Sequence, residues 1–421
     1  MSKLWLQSVT RSFRGQWMVI CRASRKAAGR NTGSSSSIAR KILQQVINDI
    51  RGRRLSVENV RLRSTSASPR QAKAGYKMTL STGDIVGVAI GSTIGVYALT
   101  SVLLYMWPCL LHRKVPHLFD GYLIAHRGGA GEYLENTMGA FRHAVLDTKA
   151  DILELDLHLT KDKQIVICHD SDLKRSTGHE GTVEEMNYAD LPPLNQYLEI
   201  TFDPGRVCER VCEDTKIALF EDLLHEFPNT VLNIDLKSGS QELVEKTAEM
   251  LQRYNRTRSV IWGSSKNDVL EMCYKQDPSI PVYFSAGRVM KLGLYFWSGA
   301  LAFMPLREHV FEVPYSTPEL RARFHQLPGY IRLLVTVAQA LLVNRFVIGY
   351  LQKRGIETYV FVVNDEDSWR KVYDLGVTGV HTDYPTKLRQ FLDANPQYTT
   401  RKQAVGEPGE KESLVGTRSD L

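Results

Sequence analysis

The apolar and polar positions of this 421-residue chain fall into three successive patterns. Residues 1 to 83 show no hydrophobic period and are rich in Arg and Ser, with the run NTGSSSS inside them. Such a stretch buries too little apolar surface to offset the entropy of ordering it, and it has disordered or targeting composition. Residues 85 to 107, IVGVAIGSTIGVYALTSVLLYMW, are 23 consecutive positions without a charge. As a helix they span roughly 34 Å, enough for a hydrocarbon core of about 30 Å. From Tyr122 onward, short apolar runs alternate with longer segments of helical spacing, the rhythm of βα units.

The runs YLIAH, ILELDLHL, QIVICH, VLNIDLK, SVIWG, PVYFS, VFEV, TYVFVV and GVHTD are the predicted strands. ALFEDLLHEF, SQELVEKTAEMLQRY, NDVLEMCYKQ and DSWRKVYDL are predicted helices between them. About eight repeats over roughly 270 residues predict an α/β protein, a (β/α)8 TIM barrel over residues 120–393. The ninth run implies an extra strand or hairpin near 164–169. Residues 171–215 are a loop-like insertion, and residues 394–421 form a polar C-terminal tail without a core pattern. Leu292–Leu306 is apolar and aromatic but short for a bilayer. It suits a core helix or, with Arg288 and Lys291 beside it, a segment on a membrane surface.

Charge changes the picture in one respect. The overall +7 conceals 17 Lys and Arg against 2 acids in residues 1–83, a local +15, so the remainder carries 7 − 15 = −8. An acidic body argues against a nucleic-acid enzyme, whose catalytic domain would itself need positive charge. The basic flank before the apolar segment predicts a cytosolic N-terminus and a lumenal body. An Arg-rich, acid-poor start also suits a mitochondrial transit peptide, with which the membrane segment competes as an explanation. In the body, Asn255 opens the sequon NRT. The six cysteines are scattered, and the spacing of Cys208 and Cys212 suits neither a common zinc site nor a redox CxxC pair.

Candidate chemistry gathers where strands finish. YLIAH runs into a glycine cluster and delivers His126 and Arg127 at a strand's C-terminal end, where α/β barrels place their ligands. ILELDLHL alternates strictly, so Glu154, Asp156 and His158 share one face. Two carboxylates aimed together repel unless a cation or a proton neutralises them, and a hard divalent metal is an economical solution. QIVICHDSDL delivers His169 and Asp170 at its strand's end, and VLNIDLK delivers Asp235 and Lys237 on one strand face.

The separated motifs AHRGGAGEYLENTMGAFRHAV, DILELDLHLTKDKQIVICHDSDLKRSTG, NIDLK and YVFVVNDEDSW with LGVTGVHTDYPTKL resemble the glycerophosphodiester phosphodiesterase family, most closely its membrane-anchored animal branch of lysophospholipases D. The resemblance covers nearly all of residues 122–392. It implies His126 and His169 as acid/base residues, Glu154, Asp156 and Asp235 as ligands of a divalent metal (Mg2+ or Ca2+), and Arg127 and Lys237 as phosphate contacts. It further implies a lysophospholipid substrate, a membrane but no nucleic acid as partner, and an endoplasmic reticulum or perinuclear location. Hydrolysis of soluble glycerophosphodiesters is the alternative, and an inactive lipid-binding scaffold a remote one. Asp235 stands where many members have Glu, Phe361 where many have Trp, and the tail before residue 84 has no counterpart in the family's pattern.

Overall fold

The computed structural model describes residues 81–399 apart from 211–212, 318–320 and 322–327. The expected tails, residues 1–83 and 394–421, lie almost wholly, and Cys212 entirely, outside the described residues.

Among the described residues nine strands form one sheet: β1 Leu123–Ala125, β2 Ile152–Leu159, β3 Ile165–Ile167, β4 Ala218–Leu219, β5 Val231–Leu236, β6 Val260–Gly263, β7 Val310–Pro314, β8 Glu357–Phe361 and β9 Gly379–Thr382. β1 pairs in parallel with β2 on one side and β9 on the other, β2 pairs with β5, and β5 with β6. Parallel bridges Trp262 to Val282 and Tyr283 to Val310 then carry the sheet to β7, which continues through β8 to β9 and closes it. The predicted eight-fold barrel is therefore present, with one departure: PVYFS contributes only those isolated bridges rather than a regular strand. Pro281 lacks the N–H a ladder needs, although its carbonyl accepts from Trp262 N at 2.9 Å. The expected extra hairpin is also present, since β3 runs antiparallel to β2. A further short strand, β4, takes the first two residues of the predicted helix ALFEDLLHEF, because Val166 and Ile167 offer a free edge to Leu219 and Ala218.

Alternation sorts the side chains into layers. Ile124, Ile152, Ile261, Tyr283, Val310 and Tyr359 pack together as an apolar cluster from the inward faces of the strands. Two residues on from Ile124, Ile152, Val231 and Val310 the same faces carry polar groups, His126, Glu154, Asn233 and Glu312, and His381 pairs in register with Ile124. Asp156, Asp235 and Asp383 stand two residues higher again. The outward faces of β2 and β5, Leu153, Leu155, Leu157, Leu232, Ile234 and Leu236, are fully buried under the helices.

The helices are α1 Thr82–Met106, α2 Met138–Arg142, α3 Lys174–Thr177, α4 Phe220–Glu226, α5 Gln241–Arg253, α6 Asn267–Gln276, α7 Ala286–Trp297, α8 Gly329–Leu342, α9 Arg345–Lys353, α10 Glu366–Asp374 and α11 Pro385–Ala394. The sequence predicts α5, α6 and α10 to within a residue or two. Side-chain caps start four of the described helices: Thr137 accepts from Ala140 N, Ser240 from Leu243 N, Asn344 from Phe346 N and Val347 N, and Asp365 from Ser368 N. Asn255 is exposed just beyond α5.

α1 holds 25 residues, roughly 37 Å of helix. Of the described helices it alone is by itself long and apolar enough to cross a membrane. The chain divides into packing units at Ile94 and Gly95. Within the second unit the last turns of α1 are tied to the barrel: Tyr97 Oη donates to Ser298 O at 2.8 Å, and Tyr105 Oη to Phe296 O at 2.5 Å. Leu292–Leu306 combines the two characters expected of it. Leu292, Leu301 and Ala302 are buried, while Leu294, Trp297, Phe303 and Met304 stay exposed.

Candidate active site

The glycine cluster after β1 exists to turn the chain within a few residues. Arg127 has φ 51°, and Gly128 and Gly129 have φ 81° and 101°, in the left-handed region that glycine adopts without steric cost. A Cβ on Gly128 would meet Ala140 Cβ at 2.9 Å, and one on Gly129 would meet Pro385 Cγ at 2.7 Å. The tight turn aims the Arg127 backbone N–H at Glu154 Oε2, 2.8 Å away.

His126 stands at the top of β1, buried, with Nδ1 2.6 Å from Asp383 Oδ1. Its Nε2 lies 4.0 Å from Glu154 Oε2, and the Phe202 ring meets it edge-on at 5.5 Å. Burial pushes the His126 pKa down, and the Arg127 charge adds to this, while Asp383 opposes both. Asp383 is itself fixed, since Asn364 Nδ2 donates to its Oδ2 at 2.8 Å and its own N–H donates to Asn364 Oδ1 at 2.9 Å.

His169 is arranged in the same way. Its Nδ1 lies 2.6 Å from Asp170 Oδ1, and Asp170 is paired with Arg175. Burial favours the neutral Asp170 carboxyl, but hydrogen bonds to His169 and Arg175 prevail and hold it well below the usual range. The His169 carbonyl lies 3.3 Å from His158 Nε2, and His158 Nδ1 lies 2.9 Å from Glu184. His158, predicted only to share a face with the acids, thus braces the backbone beneath His169. An open cleft of about 650 Å³ is lined by His158, His169, Asp170, Arg175 and Lys237 among others.

Between the two imidazoles lie the acids and the cations. Lys237 Nζ is 2.8 Å from Asp156 Oδ1 and 2.6 Å from Asp235 Oδ2, and Tyr283 Oη donates to Asp235 Oδ1 at 2.9 Å. Asn136 Nδ2 donates to Asp156 Oδ2 at 3.1 Å. Burial alone would raise the Asp156 pKa, but Lys237 and Arg127 outweigh it and keep Asp156 ionised. For Glu154 burial wins, reinforced by the Asp156 charge, and its pKa is pushed well up. The mutual repulsion anticipated from strand alternation is resolved by an ammonium on one carboxylate and a tendency to protonation on the other.

Arg127, buried, is held by Glu135 at 3.1 Å and 3.2 Å and by Thr201 Oγ1 at 3.1 Å, with Nε 3.5 Å from Asp156 Oδ2. Glu135 also receives Arg175 at 2.6 Å.

The structure therefore gathers all seven predicted residues around the barrel mouth. It does not draw Glu154, Asp156 and Asp235 into a ready coordination set: among the described residues no group of three His, Cys, Asp or Glu is placed to hold a metal ion. Lys237 occupies the space between two of the acids instead. The donor chemistry nonetheless fits a hard cation. All three side chains offer only oxygen, and Glu154 is buried beside Asp156, where burial first and the second carboxylate next push its pKa up.

Sequence reasoning passed over Asp383, Asn364, Glu135 and Arg175, and placed Asp170 at the strand end beside His169 without giving it a role. Asp383 had a usable signal, standing at the end of GVHTD as the other site residues stand at the ends of their strands.

The model of the glycerophosphoryl diester phosphodiesterase family matches residues 126–387. Over 302 residues the chain is 42% identical to "Lysophospholipase D GDPD1" of Homo sapiens, covering 72% of this chain and 95% of that protein. It is 34% identical over 301 residues to "Lysophospholipase D GDPD3" of Homo sapiens, covering 71% and 94% respectively. The solved glycerophosphoryl diester phosphodiesterase domain of an uncharacterized Mycobacterium tuberculosis protein matches with a TM-score of 0.50 at 19% identity, over 65% of this chain and 99% of that one. At that identity the likeness speaks for the fold.

Proposed function

Because the chain belongs to the glycerophosphoryl diester phosphodiesterase family, a family of phosphoric diester hydrolases, we propose that it is a membrane-anchored lysophospholipase D, cleaving lysophospholipids to lysophosphatidic acid and the free headgroup alcohol. The observation that carries this reading is the pair of carboxylate-held imidazoles, His126 on Asp383 and His169 on Asp170, both close to Asp156, which Lys237 holds.

A phosphodiester is anionic and repels nucleophiles, so its oxygens need positive charge and its oxygens in transit need proton donors and acceptors. Lys237 and Arg127 supply fixed positive charge. One imidazole takes the proton of the attacking oxygen and the other protonates the departing alkoxide. Each ring is fixed through Nδ1, which leaves Nε2 for the reaction and sets the tautomer without a search.

Members of the family are in general dependent on a divalent metal. Glu154, Asp156 and Asp235 would hold such an ion, Mg2+ or Ca2+, and it would supply further charge neutralisation to the phosphate oxygens. Because Lys237 pairs with two of those acids, it balances the carboxylates before a substrate arrives.

The names of both human relatives speak for an acylated substrate, and α1 favours one delivered by a bilayer. The membrane is that of the endoplasmic reticulum or the perinuclear envelope. The test is a panel of lysophosphatidylcholine, N-acyl lysophosphatidylethanolamine and glycerophosphocholine presented to purified protein with each metal added back. Glycerophosphocholine should be far the poorest, because buried acyl CH2 groups contribute roughly 0.8 kcal/mol each. Equal efficiency on glycerophosphocholine would replace this reading with hydrolysis of soluble glycerophosphodiesters.

A further inference from the structure

Helices α7, α8 and α9 carry large apolar side chains that nothing in the described chain covers. Met290 and Leu294 on α7 are 56% and 68% exposed, Leu333 and Val337 on α8 are 66% and 44%, and Phe346 on α9 is 67%. Their spacing is regular. Positions 290, 294 and 297 recur at intervals of four and three, and 333, 337 and 341 at intervals of four, so each set forms one stripe along its helix. The two stripes meet where Trp297 Nε1 donates to Leu341 O at 2.9 Å. The opposite side of α7 is already used, with Val289 and Leu292 buried. The outward stripes are therefore surplus to the core, and a contiguous apolar surface of this kind marks a contact with something else.

We propose that this face of α7, α8 and α9 is a second membrane-contact surface, so that the barrel lies against the bilayer rather than hanging from its anchor. The proposal rests on the reading of α1 as a membrane helix. Two observations favour lipid over a protein partner. The first is continuity: the last turns of α1 leave the barrel between the same helices. Tyr105 packs on Phe296 and Tyr350 with ring centroids 5.0 Å and 4.8 Å apart, and a groove of about 680 Å³ is lined by Tyr97, Tyr105, Trp297, Arg345, Phe346 and Lys353. Residues 95–106 of α1 thus end against the helices that carry the stripes. The second is charge. Lys291, Arg345 and Lys353 are exposed beside the apolar positions, and none of their side chains has a carboxylate partner among the described residues. Aromatic and aliphatic groups rimmed by unpaired cations suit an interface of acyl chains and anionic headgroups.

The test uses the full chain reconstituted into vesicles of phosphatidylcholine and phosphatidylserine, with and without acyl chains brominated near the headgroup. Leu333→Trp places a reporter on α8, and Tyr197→Trp places a control in the 171–215 insertion, where Tyr197 is 72% exposed. Emission is measured as the excess over the parent chain. The Leu333→Trp excess should be lost to brominated lipid and protected from aqueous acrylamide, and the Tyr197→Trp excess should do the reverse. Free access of acrylamide to Leu333→Trp, in protein that still floats with the vesicles, would overturn the second contact and leave the anchor standing. Shielding from both quenchers would overturn it as well, since protein would then cover the face, either a second copy or another segment of this chain. Failure to float would remove the anchor and this surface together.

Discussion

His126 Nδ1 and Asp383 Oδ1 are 2.6 Å apart although 257 positions separate them in the chain. The carboxylate decides which ring nitrogen of His126 is free. Asp383→Asn keeps the shape but lets the amide present either face, so the tautomer is no longer set. Turnover should fall by about 10²- to 10⁴-fold, with substrate KM little changed and the pH–rate profile displaced. An unaltered pH profile would mean that Asp383 only fills space.

His126→Ala and His169→Ala should each lower turnover by about 10²-fold or more, the usual scale for losing an acid or base. Both rings lie at strand ends above the apolar floor of the barrel, so circular dichroism and thermal unfolding should stay close to those of the parent. Near-normal activity in either variant would sink its assignment, and unfolding would mark that histidine as structural.

Chelation should abolish activity, and Mg2+ or Ca2+ should restore it, because Glu154, Asp156 and Asp235 offer only hard oxygen donors. Lys237→Met removes the ammonium that lies between Asp156 and Asp235, and should change the metal concentration needed for half-maximal activity as well as the rate. Undiminished turnover after exhaustive chelation would take the metal out of the reaction.

Inside the barrel, Glu312 accepts from Asn233 Nδ2 at 2.6 Å, and burial pushes its pKa up from 4.5 to about 8. A raised carboxyl keeps its proton in the folded state at a pH where the unfolded chain has released it. Its contribution to stability is therefore complete below 4.5 and is lost as pH rises toward about 8. The slope from this one group is at most about 1.4 kcal/mol per pH unit. Glu312→Gln should flatten the pH dependence of denaturant unfolding and be the more stable protein at the alkaline end. Identical pH dependence in the two proteins would show that Glu312 is ionised in the fold.

What could be read from the chain beforehand followed from periodicity and from strand ends. Strict alternation in β2 was enough to put Glu154, Asp156 and His158 on one inward face, and the end of β5 was enough to bring Asp235 and Lys237 together. Partnership across the barrel was not legible. Lys237 was expected to meet phosphate, and in the structure its ammonium also balances Asp156 and Asp235. The supports of the two histidines divide in the same way. Asp170 is adjacent in sequence to His169, whereas Asp383 reaches His126 only because β9 closes against β1. PVYFS looked like an ordinary strand because its apolar pattern is right, but the missing N–H of Pro281 matters to hydrogen bonding rather than to hydropathy.

The seam between β1 and β9 also bears on how the protein is made. Leu123, Ile124 and Ala125 pair with Val380, His381 and Thr382, so the first barrel strand waits for the last to be synthesised. Until β9 has left the ribosome, His126 lacks Asp383 and the barrel cannot close. α1, long and apolar enough to cross a membrane, precedes every barrel strand in the chain. On the reading of α1 as an anchor, a growing chain would be moored at a membrane while still inert, because the site is complete only once the final strand has sealed the barrel.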